Sequence, residues 1–156
     1  MGSHDGAWPI ATPIEGLERE ASALDAAARR YFDHDGLADR ELLLPRQRVV
    51  FSCQSLAVTT RLLHVSAWLM SCRAHCAGEP DAIGASRFRL PDMPASANGA
   101  IVGLPPTAQR LIRASIELHD RVGRLDRALD MNDHADAAPS AGGPARRLIE
   151  RLHQAF

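Results

Sequence analysis

The feature that most constrains the fold is the stretch from Pro45 to Ala77, which contains no second proline and no glycine. Apolar residues recur in it three or four positions apart, which is the spacing of one face of an α-helix. A helix of this length would span roughly 50 Å. Because its apolar residues form two stripes, it needs neighbours on two sides. We therefore expect it at the centre of a helical bundle or of an oligomer.

The two stripes can be defined by their residues. The 49–74 stripe consists of Val49, Cys53, Leu56, Thr60, Leu63, Ala67, Met70 and Ala74. The 51–76 stripe consists of Phe51, Val58, Leu62, Val65, Leu69, Cys72 and Cys76.

Composition supports a helical fold for the rest of the chain. The 156 residues include 18 basic residues, all of them arginine, and alanine is abundant, whereas only 4% of the residues are aromatic. Alanine and arginine favour helices, and the aromatic and β-branched residues that strands prefer are scarce. These proportions exclude an all-β fold.

Two further helices are predicted from apolar spacing. One covers residues 13–35 and the other residues 106–131, and the long helix between them covers residues 46–77. We therefore predict an all-α fold, an antiparallel three-helix bundle with a long central helix. Residues 1–12 are expected to form a flexible leader, residues 13–131 the bundle, and residues 132–156 a flexible linker with a short amphipathic tail.

Charge and hydropathy exclude several classes of function. The net charge of −1 argues against a nucleic-acid binder, which would show a basic excess. No apolar run is long enough to cross a membrane, and no signal-peptide pattern is visible, so we expect a cytoplasmic protein. Phosphate-binding loops, metalloprotease motifs and nucleophile elbows are missing from the sequence, so we expect neither an enzyme nor a cofactor.

Charge is unevenly placed along the chain. Residues 1–44 carry an acidic excess, whereas residues 45–77 carry four arginines and no acid. We expect the acidic first helix to lie beside the basic central one. Exposed ion pairs contribute little stability, so this complementarity would set register and orientation.

Two cysteines of the central helix raise an alternative function. Cys72 and Cys76 lie one helical turn apart, a spacing that can bind zinc or support redox chemistry. A closed zinc site needs four ligands, and Cys53 lies too far along the helix to supply one. We expect buried structural cysteines and keep the metal or redox protein as a third hypothesis.

Polar residues accompany a tryptophan on the central helix. Arg61 and His64 lie on the same side as Trp68, which falls between the two stripes. Trp68 can fill the edge of the core, or it can be a partly exposed anchor for a partner, as aromatic hot spots often are. His119 and Asp120 on the last helix could orient a base, although we expect them on a solvated surface.

One block of the sequence resembles a known family. The run from Ser55 to Ala74, followed by Gly78-Glu79, contains Thr59-Thr60-Arg61-Leu62, then Trp68-Leu69, then Arg73-Ala74. It resembles the RcdA-like family of alphaproteobacteria, whose pattern has Thr-Thr-Arg-Leu, Ala-Ser-Trp-Leu and Arg-Ala followed by Gly-Glu. A second block, from Leu104 to Asp126, agrees. Ser66-Ala67 reverses the usual Ala-Ser.

The resemblance implies a three-helix bundle that forms a homodimer and acts without catalysis. RcdA-like proteins are adaptors of the ClpXP protease, which they bridge to substrates, including cell-cycle regulators, or to other adaptors. We expect partner binding by Arg61, His64, Trp68 and Arg73. The apolar side of the tail is expected to dock elsewhere through Leu148, Ile149, Leu152 and Phe156. The alternative is a dimeric helical module whose partner is unrelated to proteolysis.

Overall fold

A computed structural model describes residues 11–77, 88–94 and 101–137. Its elements are α1 (Ala11–Arg30), a π-helical turn (Tyr31–Asp35), α2 (Leu37–Glu41), α3 (Pro45–Cys76) and α4 (Pro106–Ala137). The all-α prediction is confirmed. No helix in these three ranges combines the length and apolarity needed to cross a bilayer.

The chain divides into two compact units, residues 1–123 and residues 124–156. The first unit holds α1, α2, α3 and the first part of α4, and the described part of the second unit is the remainder of α4 up to Ala137. The linker predicted to begin at residue 132 is therefore helical up to Ala137. Alanine favours helix, and no proline or glycine follows Gly123 until Pro139, which explains the continuation.

Contacts between side chains give the direction of each helix in the first unit. Glu18 near the start of α1 pairs with Arg73 near the end of α3, whereas Phe32 after α1 packs on Phe51 near the start of α3. Those two helices are therefore antiparallel. α1 and α4 are antiparallel as well, because Arg121 of α4 pairs with Glu20 of α1, whereas Ala108 near the start of α4 contacts Tyr31 just after α1.

α3 and α4 run parallel. Gln47 at the start of α3 donates a hydrogen bond to the carbonyl of Gly103, just before α4. Further along both helices, Arg61 meets Ser115 and His64 meets His119. The predicted antiparallel arrangement thus holds only for the pairs that include α1. Residues 77–105 make this possible, because an extended chain advances roughly 3.3 Å per residue and can return along the whole of α3.

The core of the first unit lies between the three long helices. It consists of residues from alternate turns of α1, the 51–76 stripe of α3 as far as Cys72, and one apolar stripe of α4. Its buried members include Ala21, Ala28, Val58, Leu62, Val65, Trp68, Leu69, Ala108, Ile112, Leu118 and Val122. Small alanines on α1 allow this helix to approach its neighbours closely.

A π-helical turn closes the end of α1. The N–H of Gly36 donates to the carbonyl of Tyr31 at 2.7 Å, and a Cβ at Gly36 would lie 2.8 Å from that oxygen. Glycine is therefore required here by close approach. The Tyr31 hydroxyl donates to Asp39 at 2.8 Å and accepts from the backbone of Ala108, so it joins α2 to the start of α4. Burial raises the pKa of Tyr31, and the Asp39 carboxylate raises it further.

Candidate functional site

The side chains expected to bind a partner lie mostly inside the bundle. Arg61 is 3% exposed and Trp68 1% exposed, while His64 is half-buried. Trp68 therefore fills the core, and the alternative of a partly exposed aromatic anchor is wrong. On the same side of α3, Arg61 and His64 contact Ser115 and His119 of the parallel α4, so this side of the helix is not open to solvent.

Arg61 and residues of α4 form a buried polar contact. The Arg61 guanidinium donates to the hydroxyl of Ser115 at 3.4 Å, and this hydroxyl donates to the carbonyl of Ile112 at 2.7 Å. Burial lowers the pKa of Arg61, and the charge of Asp120 opposes that shift. A guanidinium at this position ties α3 to α4.

Two histidines extend this contact along the helices. The imidazole centroids of His64 and His119 are 6.4 Å apart. His119 is 8% exposed and Asp120 is exposed, so the expectation of a solvated surface holds for Asp120 and is wrong for His119. The sequence did carry a signal, because His119 lies four residues after Ser115 and three before Val122 on the apolar side of α4. We call Arg61, His64, Ser115 and His119 the α3–α4 polar cluster.

Part of the connection between α3 and α4 covers the polar cluster. The N–H of Phe88 donates to the hydroxyl of Ser71 at 3.0 Å, and the backbone of Pro91 hydrogen-bonds His119. Because proline has no N–H, its carbonyl is the acceptor. The described segment 88–94 is thus held on both α3 and α4.

Arg73 lies apart from the polar cluster. It is exposed and pairs with Glu18 of α1 at 3.7 Å. The two side chains line a groove of about 310 Å³ together with Ile14, Glu15 and Cys76. The expected complementarity between the acidic first helix and the basic central helix is realised here by one exposed ion pair.

The 49–74 stripe faces outward along α3. Leu56, Leu63 and Met70 recur every seven residues and are 68%, 66% and 70% exposed, and Val49 and Cys53 are exposed before them. We call these five residues the α3 outer face. Every exposed residue of α3 between Arg48 and Arg73 is uncharged. An uncharged, apolar face of this length is typical of a surface that contacts another protein.

Threonines next to the outer face add to its apolar character. The hydroxyl of Thr59 donates to the carbonyl of Ser55 at 3.1 Å, and that of Thr60 donates to the carbonyl of Leu56 at 3.0 Å. These hydroxyls are thus satisfied within α3 itself. A partner can cover them without leaving these two hydroxyl donors unpaired.

The cysteines differ in their surroundings. Cys72 is 2% exposed, as expected for a structural cysteine, whereas Cys76 is exposed and does not follow that expectation. Burial raises the pKa of the Cys76 thiol. Within residues 11–77, 88–94 and 101–137, no three side chains of the metal-binding types come together. The tail residues Leu148, Ile149, Leu152 and Phe156 lie outside the described residues.

Comparison with known proteins agrees with this fold. The family model described as "Protein of unknown function (DUF1465)" matches residues 11–156. The crystal structure of RcdA from Caulobacter crescentus CB15 is similar, with a TM-score of 0.59 and 26% sequence identity, over 76% of this chain and 92% of that chain. Among curated proteins, no relative matches. The family and structural matches confirm the predicted RcdA-like resemblance.

Proposed function

The chain belongs to the DUF1465 family, and we propose that it is a non-enzymatic adaptor that helps deliver cell-cycle regulatory substrates to the ClpXP protease. The similarity to RcdA supports this role, because the RcdA-like resemblance implies that the chain acts as a protease adaptor. The observation that carries the proposal is the α3 outer face, an apolar surface suited to contact with a protein.

Reconstituted degradation tests the proposed role. Purified chain is added to ClpXP with candidate regulatory substrates, and substrate loss is followed with time. We expect the chain to accelerate loss of at least one substrate while its own amount stays constant. A chain that neither binds ClpX or another adaptor nor changes any degradation rate contradicts the proposal.

The outer face also favours a homodimer. It belongs to the 49–74 stripe, whose members are spaced alternately by three and four positions, and this spacing is typical of helices that pair side by side. The exposed residues of α3 between Arg48 and Arg73 are uncharged, which allows a second copy to approach without repulsion between exposed arginines. We propose that two copies pair through the α3 outer face, which would leave the buried α3–α4 polar cluster inside each protomer.

Sedimentation equilibrium tests the homodimer directly. Leu63→Glu places a charge in the middle of the outer face and is expected to convert dimer to monomer. Val102→Glu is the matched control, because Val102 is 68% exposed and lies off α3. Equal dissociation constants for the wild type and Leu63→Glu would show that the copies pair elsewhere. Circular dichroism checks that both variants remain helical.

The tail is the proposed docking peptide for the protease or another adaptor. Its sequence places Leu148, Ile149, Leu152 and Phe156 on one side of a short amphipathic segment. A full chain carrying Leu148→Asp and Leu152→Asp is expected to lose ClpX or adaptor binding and to keep its oligomeric state. Arg147→Ala in the same tail is the control. Unchanged binding by the double variant removes the tail from this role.

The alternative is a dimeric helical module with a partner unrelated to proteolysis. The outer face favours this function as well, because an apolar surface does not identify its partner. Co-purification from cells separates the two. Recovery of a partner without ClpXP, its adaptors or a regulated substrate supports the alternative.

A further inference from the structure

The α3–α4 polar cluster contains two imidazole nitrogens that are buried and have no hydrogen-bond partner. They are Nδ1 of His64 and Nε2 of His119. The imidazole rings that carry them face each other across the two helices with centroids 6.4 Å apart. Buried polar atoms usually have partners, so two unpartnered nitrogens in one contact require an explanation.

The hydrogen bond to Pro91 identifies which nitrogen of His119 carries the proton. The Pro91 carbonyl is an acceptor, and Nε2 is without a partner, so Nδ1–H of His119 donates to that carbonyl. Neutral His119 then holds a bare lone pair at Nε2. This arrangement is tolerable in a buried site because a lone pair without a donor costs less than an unsatisfied charged N–H.

If His119 takes up a second proton, the new N–H group has no hydrogen-bond acceptor. The proton would go to Nε2, which is buried, and would create a cation near Arg61 and His64 of α3. Asp120 of α4 and the Pro91 carbonyl of segment 88–94 favour that proton, while burial, His64 and Arg61 oppose it. Glu20 of α1 reaches the same part of α4, where it pairs with Arg121.

We propose that the His64–His119 contact is an acid-sensitive interaction that holds α4 and segment 88–94 on α3 while His119 is neutral and loosens them when His119 takes up a second proton. The contact joins three separate parts of the chain, α3, α4 and the connection between them. Loosening it exposes the polar cluster and frees the segment that covers it.

The direction of the pH dependence follows from burial. Desolvation lowers the pKa of His119 in the folded protein, so the unfolded chain binds the proton more readily. The stability that this histidine contributes is therefore present above the ordinary histidine pKa of about 6.5 and is lost as pH falls below it. At most, protonation of this histidine lowers the folding equilibrium constant about tenfold per pH unit.

Denaturant unfolding of the full chain between about pH 8 and about pH 5 tests this proposal. We expect the unfolding midpoint to fall with pH in the wild type and to fall much less in His119→Asn, whose amide can still donate to the Pro91 carbonyl. His34→Gln is the matched control, because His34 is exposed, and it should keep the wild-type pH dependence. A His119→Asn variant with the wild-type pH dependence overturns the proposal.

Two measurements on the unmodified chain keep the proposal testable if His119→Asn does not fold. Titration of the imidazole resonances by NMR should show His119 protonating below the ordinary histidine pKa of about 6.5, and protonation at or above that value overturns the proposal. Hydrogen exchange, corrected for its intrinsic pH dependence, should show protection lost in segment 88–94 before α1 as pH falls. If protection is lost at the same pH in segment 88–94 and in α1, the proposed local loosening is overturned.

Discussion

The two stripes of α3 are nearly equal in apolar content and opposite in environment. Val58, Leu62 and Val65 of the 51–76 stripe are at most 2% exposed, whereas Leu56 and Leu63 of the outer face are more than 60% exposed. The same helix therefore stabilises its own fold with one stripe and leaves the other available to a second protein. Apolar spacing shows that a helix face needs a neighbour. It does not show whether that neighbour is another helix of the same chain or a second protein.

Cysteine reactivity gives the largest expected contrast between the two stripes. In a Cys76→Ser background at concentrations that keep the chain monomeric, Cys53 on the outer face should alkylate rapidly. Cys72 should react ~10³-fold more slowly, because it must wait for an opening of the core. Mass spectrometry of quenched samples measures both rates. Comparable rates would mean that the 51–76 stripe is not the inner one.

The same labelling, repeated at higher protein concentration, tests whether the outer face becomes covered. If copies pair through the outer face, Cys53 should become protected with the concentration dependence found by sedimentation, and Cys72 should not change.

Two adjacent leucines allow the two stripes to be compared by their contributions to the free energy of unfolding. Leu62→Ala removes a side chain that is 2% exposed and should lower the free energy of unfolding by about 2–5 kcal/mol, because it leaves a cavity. Leu63→Ala removes the same atoms from the outer face and should change the free energy of unfolding by only about 0.5 kcal/mol or less. Urea denaturation at monomeric concentrations measures both. Equal losses would contradict the assignment of inner and outer faces.

A smaller effect than that of Leu62→Ala is expected at the edge between the two faces. Arg73→Ala removes the exposed ion pair with Glu18 and should cost at most about 0.5–1 kcal/mol at low salt. The difference should shrink in about 1 M salt, where charges are screened over about 3 Å. Arg46→Ala, also exposed on α3, controls for the loss of one positive charge. A large, salt-independent loss for Arg73→Ala would indicate that this side chain packs as part of the core.

Several sequence predictions succeeded because their causes are local. Pro45 and Pro106 begin the helices that were predicted around residues 46 and 106, since proline suits the first helical turn and interrupts what precedes it. The resemblance carried by Thr59-Thr60-Arg61 and Trp68 identified the family. The proposed partner-binding roles of Arg61, His64 and Arg73 remain predictions, whereas Trp68 fills the core.

The sequence by itself determined which segments are helical and which faces of each helix are apolar, because propensity and spacing act within a few turns. Only the tertiary structure decided that α3 and α4 run parallel, since residues 77–105 are long enough for either direction. That orientation placed His119 beside His64 and buried Arg61 and Trp68. Burial depends on which neighbours the fold supplies, and this is a property of the packed chain as a whole.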